Sequence, residues 1–243
     1  MVFKRALRKV FARNVLYYPG CLIGNYAIEL NDNYKQILTK LGINFLQFDD
    51  FVCCGSPVLN AGYATEFERL KENNIKLLDK YGIGTIITPC PACFRMFSHD
   101  YKLAKEGIEV KHITQVLAEN LVKIKDIFKK EKGMPEITYH DPCHLGRHCK
   151  IYDEPRKAII AAGFKLKEFK NNKENADCCG AGSGVRANFP ETARKVAQKR
   201  LKDCKTKMLV TTCPLCYLHL KETSEGDKQV EVMELSQLIK DAL

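Results

Sequence analysis

The chain has no apolar run approaching the ~20 residues that a membrane-spanning helix needs. Its first fourteen residues, MVFKRALRKVFARN, are basic. They lack a continuous apolar stretch and a small-residue cleavage site, so no secretory signal is expected and a cytoplasmic location is the default. Phosphate-binding signatures are missing as well. GAGSGV at 180–185 has neither the Lys-Ser/Thr of a P-loop nor the spacing of a dinucleotide fingerprint. The net charge is +10, yet no finger or RNA-recognition module is present, and no nucleic acid is expected as partner. Basic residues are scattered, apart from the N-terminus and KIKDIFKKEKG at 123–133, which reads as a solvated helix face. The sign of the charge suits anionic substrates, acidic electron-transfer partners or buried thiolates.

What the chain has is cysteine, twelve in 243 residues. In a short secreted protein these would form disulfides; in this one they point to metal or redox chemistry. They are arranged in an internal repeat. YYPGC (17–21), CCGSP (53–57), TIITPCPACF (85–94) and VKHITQVLAENL (110–121) recur as YHDPC (139–143), CCGAG (178–182), MLVTTCPLCY (208–217) and VEVMELSQLIKDAL (230–243). The order is the same, and the matching cysteines are offset by 122–125 residues. We therefore expect a basic segment at 1–16 and two homologous domains at 17–131 and 132–243, joined near KKEKGMPE, where charge, Gly and Pro cluster.

Local patterns give the fold class. Helical spacing of apolar residues predicts helices over 27–42, 65–82, 91–107, 114–128, 190–204 and 214–223. Short β-branched runs predict strands over 43–48, 84–88, 109–113, 164–169 and 207–212. Alternation of the two implies α/β halves with parallel sheets, Rossmann-like and related by a pseudo-twofold duplication. Ligands bind outside the carboxyl ends of such strands, and Cys21, Cys90, Cys143 and Cys213 each follow a predicted strand.

Each half offers five thiols from three loops: Cys21, Cys53, Cys54, Cys90 and Cys93, then Cys143, Cys178, Cys179, Cys213 and Cys216. Cys-x-x-Cys at a helix start can face one metal. It also fits a thioredoxin-type redox pair, which would leave the other three thiols unexplained. Structural zinc takes four ligands, so five exceed its need, although zinc in one half stays an alternative. Neighbouring side chains of an extended segment diverge. Gly55 or Gly180 would permit a turn that brings an adjacent Cys pair together. A cluster with several irons offers such a pair different iron atoms. Gly180 and Gly182 would let the backbone close around it. Cys149 and Cys204 lie outside the pattern and read as ordinary small residues.

These stretches, with YHDPCHLGRHCKIYDEPR around Cys143, resemble the cysteine-rich CCG family over residues 17–220. That family is found in heterodisulfide reductase catalytic subunits and in iron–sulfur subunits of glycolate, lactate and glycerol-3-phosphate oxidising systems. The resemblance implies two [4Fe-4S] clusters, of the non-cubane kind in heterodisulfide reductases, held by the ten cysteines named above. It implies one substrate pocket between the halves, where a disulfide is reduced. The alternatives are a relay subunit carrying hydroxy-acid-derived electrons from a flavin-linked dehydrogenase, and a zinc-stabilised scaffold. Many relatives begin with a ferredoxin-like domain that this sequence lacks. Electrons would then come from a separate ferredoxin-like iron–sulfur or flavoprotein subunit. The gap before Cys213 is 33 residues against 35 before Cys90, which leaves the second cluster's type open.

Around Cys143, His144 and His148 could supply protons and Arg147 could pair with an anionic group. The plainer reading is that these three shape the loop, as Asp141 before Pro142 does. At the N-terminus, Phe3, Leu7, Val10 and Phe11 share a helical face among basic residues. That face could dock on a partner subunit or lie on an anionic membrane surface, a packed or frayed terminal helix being the plainer reading. The protein could sit at the inner face of a membrane through a membrane-associated partner.

Overall fold

The computed structural model describes residues 14–48, 52–127, 135–225 and 230–240. The basic N-terminal segment and most of the expected domain junction lie outside them. Each half is built on a parallel sheet. In the first, β1 (Asn14–Tyr17), β2 (Ile83–Thr88) and β3 (Glu109–His112) lie in the order β1-β2-β3. In the second, β4 (Glu136–His140), β5 (Lys165–Leu166), β6 (Met208–Thr211) and β7 (Glu231–Glu234) lie in the order β5-β4-β6-β7. The central strands IGTIIT and MLVT are rich in Ile, Val and Thr, which suit a strand covered on both faces.

The strand expected over 43–48 shrinks to one parallel bridge, Leu46 to Leu16. Leu46 N–H donates to the Val15 carbonyl at 2.8 Å and its carbonyl accepts from Tyr17 at 2.9 Å. Side-chain packing, not a ladder, holds the rest: Phe48 stacks on Tyr81 with ring centroids 3.8 Å apart. That bridge sits beside β1 as the two-residue β5 sits beside β4, so the sheets share one topology. The strand expected over 164–169 is likewise reduced, to 165–166.

Among the described residues, the first half carries α1 (Cys21–Tyr26), α2 (Ile28–Lys40), α3 (Ser56–Asn60), α4 (Ala64–Lys80), α5 (Pro91–Arg95), α6 (Ile113–Glu119) and α7 (Leu121–Ile127). The second carries α8 (Asp153–Ala161), α9 (Val185–Asn188), α10 (Pro190–Lys202), α11 (Pro214–Glu225) and α12 (Leu235–Lys240). The single helix expected over 91–107 is broken. After α5 comes a π-helical turn, Met96–Asp100, then Lys102 at φ 57°, then a 3₁₀ turn. Tyr101 is anchored there by the Asn74 amide, which donates to its hydroxyl at 3.0 Å. The helix expected over 114–128 splits at Asn120, whose side chain donates back to the Val116 carbonyl and so ends the turn.

The halves pack reciprocally. α2 of the first lies on α12 of the second, and α8 of the second lies on α6 of the first. Tyr34, Ile37, Tyr139, Ile159 and Ile239 share one buried cluster across the junction. The fourth repeated landmark is a helix cap. His112 N–H donates to Gln115 at 3.0 Å while its ring accepts from Thr114. At the matching position, Glu234 N–H donates to Gln237 at 3.0 Å while its carboxylate accepts from Ser236. Both are capping boxes that join the last strand of a half to the helix that follows it. No helix among the described residues is long and apolar enough to cross a membrane.

Glu234 is fully buried and Tyr34, from the other half, donates to it at 2.6 Å. Burial lifts its carboxyl to about 7, against the opposing hydrogen bonds from Ser236 and Tyr34. The native state therefore keeps a proton that an unfolded glutamate releases above about pH 4.3. The stability this contributes is full below that pH and is lost as pH rises through about 7. The loss is on the order of 3 kcal/mol. Glu234→Gln is expected to remove this fall between about pH 4.3 and 7, measured as the difference in anaerobic urea unfolding between the two proteins. The difference cancels the contributions of buried histidines. An identical pH dependence in both proteins would refute the assignment.

Candidate functional site

β1, β2, β4 and β6 end at Tyr17, Thr88, His140 and Thr211. Cys21, Cys90, Cys143 and Cys213 follow within a few residues, so four thiol loops leave the same edge of their sheets. The Cys-Cys-Gly loops complete each site. At Gly55 (φ 86°) and Gly180 (φ 91°) the chain turns through the left-handed region. A Cβ at Gly55 would meet Phe67 at 2.6 Å, and one at Gly180 would meet the Ala193 carbonyl oxygen at 2.8 Å. Gly182 is different: a Cβ there meets nothing within 4 Å, so no steric need for glycine exists at 182. The two glycine amides that matter donate to sulfur, Gly55 N–H to Cys53 at 3.4 Å and Gly180 N–H to Cys178 at 3.3 Å.

The ten cysteines of the repeat form two quintets with one wiring. In the first, sulfur contacts run Cys21–Cys53–Cys54–Cys93–Cys90. In the second they run Cys143–Cys178–Cys179–Cys216–Cys213, with Cys216 and Cys179 sulfurs 3.2 Å apart. None of the ten is in a disulfide. Their acidities are driven apart by this crowding. Cys53 is pushed far down because the Cys21 and Cys54 thiols donate to it. Cys178 is pushed down the same way by Cys143 and Cys179. Cys21 and Cys143 are pushed far up by that donation, and Cys179 up to about 12 by donating to Cys178. Five thiols linked in a chain of contacts cannot all ionise without a cation among them. The donor set, all sulfur and five to a site, fits a multi-iron cluster.

The quintets differ in exposure. Cys21 is exposed, while Cys143 is half-buried. A cleft of about 570 Å³ opens beside the first quintet, lined by Tyr18, Cys21, Asn31, Gln47 and Cys53 among others. The two quintets also approach each other through their neighbours. α5, which carries Cys93, packs on the π-helical turn His144–His148, and Phe94, Leu145 and Ile151 form a buried cluster there.

Of the polar residues expected around Cys143, Arg147 ties loops together. Its Nη1 donates to the carbonyl of Ala176, just ahead of the second Cys-Cys pair. His144 Nδ1 lies 3.5 Å from Cys143 Sγ, and the His144 and His148 rings stand 5.0 Å apart. Burial, then His148 and Arg95, lower His144 to about 4; burial and Arg95 also lower His148. Asp141 shapes its turn through a partner that sequence patterns do not reveal. Arg156 grips both its carboxylate oxygens, at 2.7 and 2.9 Å, and both of Glu168, at 2.6 and 2.9 Å. Side-chain exposures of 8% and 3% make Arg156–Asp141 a buried pair. Breaking such a pair costs about 3–5 kcal/mol, against about 0–1 for the exposed Lys173–Asp153 pair.

Two further residues escaped sequence reasoning. His140 ends β4, and one of its ring nitrogens lies within 4.8 Å of the Cys179 and Cys216 sulfurs, which are themselves that close. Arg200 Nε donates to His140 Nδ1 at 3.2 Å. His140 was visible in YHDPC, where the first half has Tyr18. Arg200 was not, because it sits in a helix with several other basic residues. Cys149 packs beside Leu145 and Ile151, its thiol pushed up to about 11 by burial. Cys204 donates to the Thr206 carbonyl. Neither belongs to a quintet.

Comparison with known proteins agrees with this geometry. The family model "CCG: Cysteine-rich domain" matches twice, over residues 15–98 and 137–221. The chain is 36% identical over 243 residues to a subunit of the dihydromethanophenazine:CoB–CoM heterodisulfide reductase of Methanosarcina acetivorans, covering 95% of this chain and 59% of that protein. It is 33% identical to a subunit of the fumarate reductase (CoM/CoB) of Methanothermobacter marburgensis, covering 92% of this chain and 45% of that one. It is 30% identical to EtfAB:quinone oxidoreductase of Syntrophomonas wolfei, covering 92% and 34%. The chain thus spans about half the length of these relatives. With the motif written twice, each copy holding five convergent thiols, the chain belongs to the CCG cysteine-rich domain family.

Proposed function

We propose that this chain is an iron–sulfur oxidoreductase subunit in which each thiol quintet holds one [4Fe-4S] cluster. The observation that carries this is the identical five-sulfur wiring of the two sites. Cys21, Cys53, Cys54, Cys90 and Cys93 would hold the first cluster. Cys143, Cys178, Cys179, Cys213 and Cys216 would hold the second. Such clusters supply one-electron transfer. A single zinc uses four ligands and leaves a thiol in each quintet without a role.

The reaction that fits best is reduction of a small-molecule disulfide. One S–S bond, two electrons and two protons give two thiols. The electrons would come from a ferredoxin-like iron–sulfur or flavoprotein partner. The cleft beside exposed Cys21 gives a substrate access to the first site, which a pure relay does not require. The relative named as a heterodisulfide reductase supports this reading. The relative named EtfAB:quinone oxidoreductase supports a second, in which the chain relays electrons from a flavin-linked dehydrogenase.

Two measurements test these readings. Protein purified without oxygen is expected to contain iron and labile sulfide and little zinc, with EPR signals that change when a thiol or disulfide is added. Zinc without labile sulfide would sink the iron–sulfur assignment; clusters blind to every thiol would favour the relay. Gly180→Ala is expected to lose the iron of the second site only, because its Cβ has nowhere to go. Gly182→Ala is expected to keep all of it. Equal iron in both variants would mean that the tight turn does not hold the Cys178–Cys179 pair in place.

A further inference from the structure

The quintets match in sulfur but not in what stands behind them. In the second half Arg200 backs His140. Arginine has five N–H donors, no acceptor and a proton it does not give up. Its Nε lies 3.2 Å from His140 Nδ1, so Nδ1 accepts. The imidazole is therefore neutral and its proton sits on Nε2. This settles what His140 can do. The lone pair of Nδ1 is taken and Nε2 is protonated, so His140 has no lone pair for a metal. It has one N–H to give, and it stands among the sulfurs of Cys179 and Cys216. Grouped with those two cysteines, it looks like a ligand; the arginine behind it makes it a donor.

Arg200 is held rigidly for that task. It is 1% exposed. Its guanidinium lies on the face of Phe169, 3.4 Å from the ring centroid, and its Nη1 donates to the Asn171 carbonyl at 3.2 Å. The Asp177 carboxylate reaches no closer than 4.0 Å. Asp141, the other buried acid nearby, is engaged by Arg156. Nη2 has no hydrogen-bond partner among the described residues. A buried cation this weakly paired costs stability unless negative charge lies close by; His140, which accepts from it, stands beside the sulfurs of Cys179 and Cys216. In the first half the position of His140 is taken by Tyr18, whose hydroxyl donates to the Val52 carbonyl at 2.8 Å. The repeat offset of 122–125 residues aligns Arg200 with Ile75, Lys76, Leu77 and Leu78, none of them an arginine.

Reduction of a cluster adds negative charge. Hydrogen bonds to its sulfurs and nearby positive charge stabilise the reduced form and raise its potential. We propose that His140 donates its Nε2–H to a thiolate of the second site, and that Arg200 is a positioning residue that fixes the tautomer of His140. Together they hold the potential of the second cluster above the value it has without them. This rests on the iron–sulfur reading above.

The test is an EPR-monitored potentiometric titration of the full chain, purified without oxygen, with iron and sulfide measured first. The signal of the first site is identified by its loss in Cys54→Ser. In Arg200→Gln and His140→Phe the midpoint of the second site is expected to fall while that of the first stays put. Arg200→Lys, which keeps charge and a donor, is expected to recover part of the shift. In wild type, proton ENDOR after transfer to D₂O is expected to lose an exchangeable coupling at the second site, and His140→Phe to lack it from the outset. An iron-replete Arg200→Gln with an unchanged midpoint overturns the proposal, as does a shift shared by both sites. Loss of second-site iron from Arg200→Gln also overturns it, since the pair would then hold the site together and not tune it. If wild type itself lacks labile sulfide, the iron–sulfur reading fails, an outcome distinct from clusters present at unmoved potentials.

Discussion

Five sulfurs crowded at the carboxyl edge of a parallel sheet are the constraint on which the rest of each half depends. Crowded thiols are a poor arrangement by themselves. Cys53 is driven toward thiolate while Cys21 and Cys54 are driven away from it, so the set is comfortable neither fully protonated nor fully ionised. A centre with several positive ions removes that conflict and uses every sulfur. The fold then has to bring three loops to one place. Parallel strands do this naturally, because their crossover helices return each strand to start from the same side. The Cys-x-x-Cys pair comes from the central strand, and the single Cys from its neighbour. The Cys-Cys pair comes from the loop ahead of the long helix, where Gly55 or Gly180 turns the chain too tightly for a side chain.

The duplication is structural as well as chemical. Each half lends a helix to the other: α2 packs on α12, and α8 on α6. Each half also ends its last strand in a capping box, His112 with Gln115 and Glu234 with Gln237. The first of these is capped by a ring kept neutral, its pKa lowered to about 3 by burial. The second is capped by a carboxyl lifted to about 7 by the same cause. Burial favours the neutral form of both groups, by opposite shifts. The Tyr34–Glu234 bond spans the halves, so the cap of one half is also a fastener to the other.

Much of this was legible because the repeat carries it. The cysteine spacing, the offset and the strand–Cys order all reappear in the folded chain, as do α2, α4 and α10 within a residue or two of the expected ends. The misses have physical causes. INFLQF has the apolar content of a strand, but aromatic packing by Phe45 and Phe48 accounts for it, and only Leu46 pairs. The break after Arg95 is set by Tyr101 and Asn74, 27 residues apart in sequence, and periodicity within one helix cannot register such a partner. Arg156 and Arg200 look like any basic residue on an amphipathic helix. Their roles come from Asp141 and His140, which reach them only when β4 and the helices are folded together. GAGSGV suggested glycines acting in concert, yet they differ: Gly180 faces a backbone wall and Gly184 turns at φ 78° against Asn188, while Gly182 has open space around it.

Identical ligands do not make identical centres. The first quintet has the exposed cysteine and the cleft; the second has the histidine and the buried arginine. If both sites did the same work, duplication would tend to keep the shells alike, since the wiring of the sulfurs has stayed alike. The shells have diverged at the two positions that matter for redox chemistry, access and local charge. Access is greater at the first site, where Cys21 reaches solvent while Cys143 is half-buried. A buried arginine stands behind His140 at the second site, where an added electron would be held more favourably. That pairing suits a chain in which one site meets the substrate and the other stores or passes the electron. With a cluster held by the second quintet as proposed, the 1% exposure of Arg200 gains a reason: a buried guanidinium costs folding energy, and its field would favour the reduced centre.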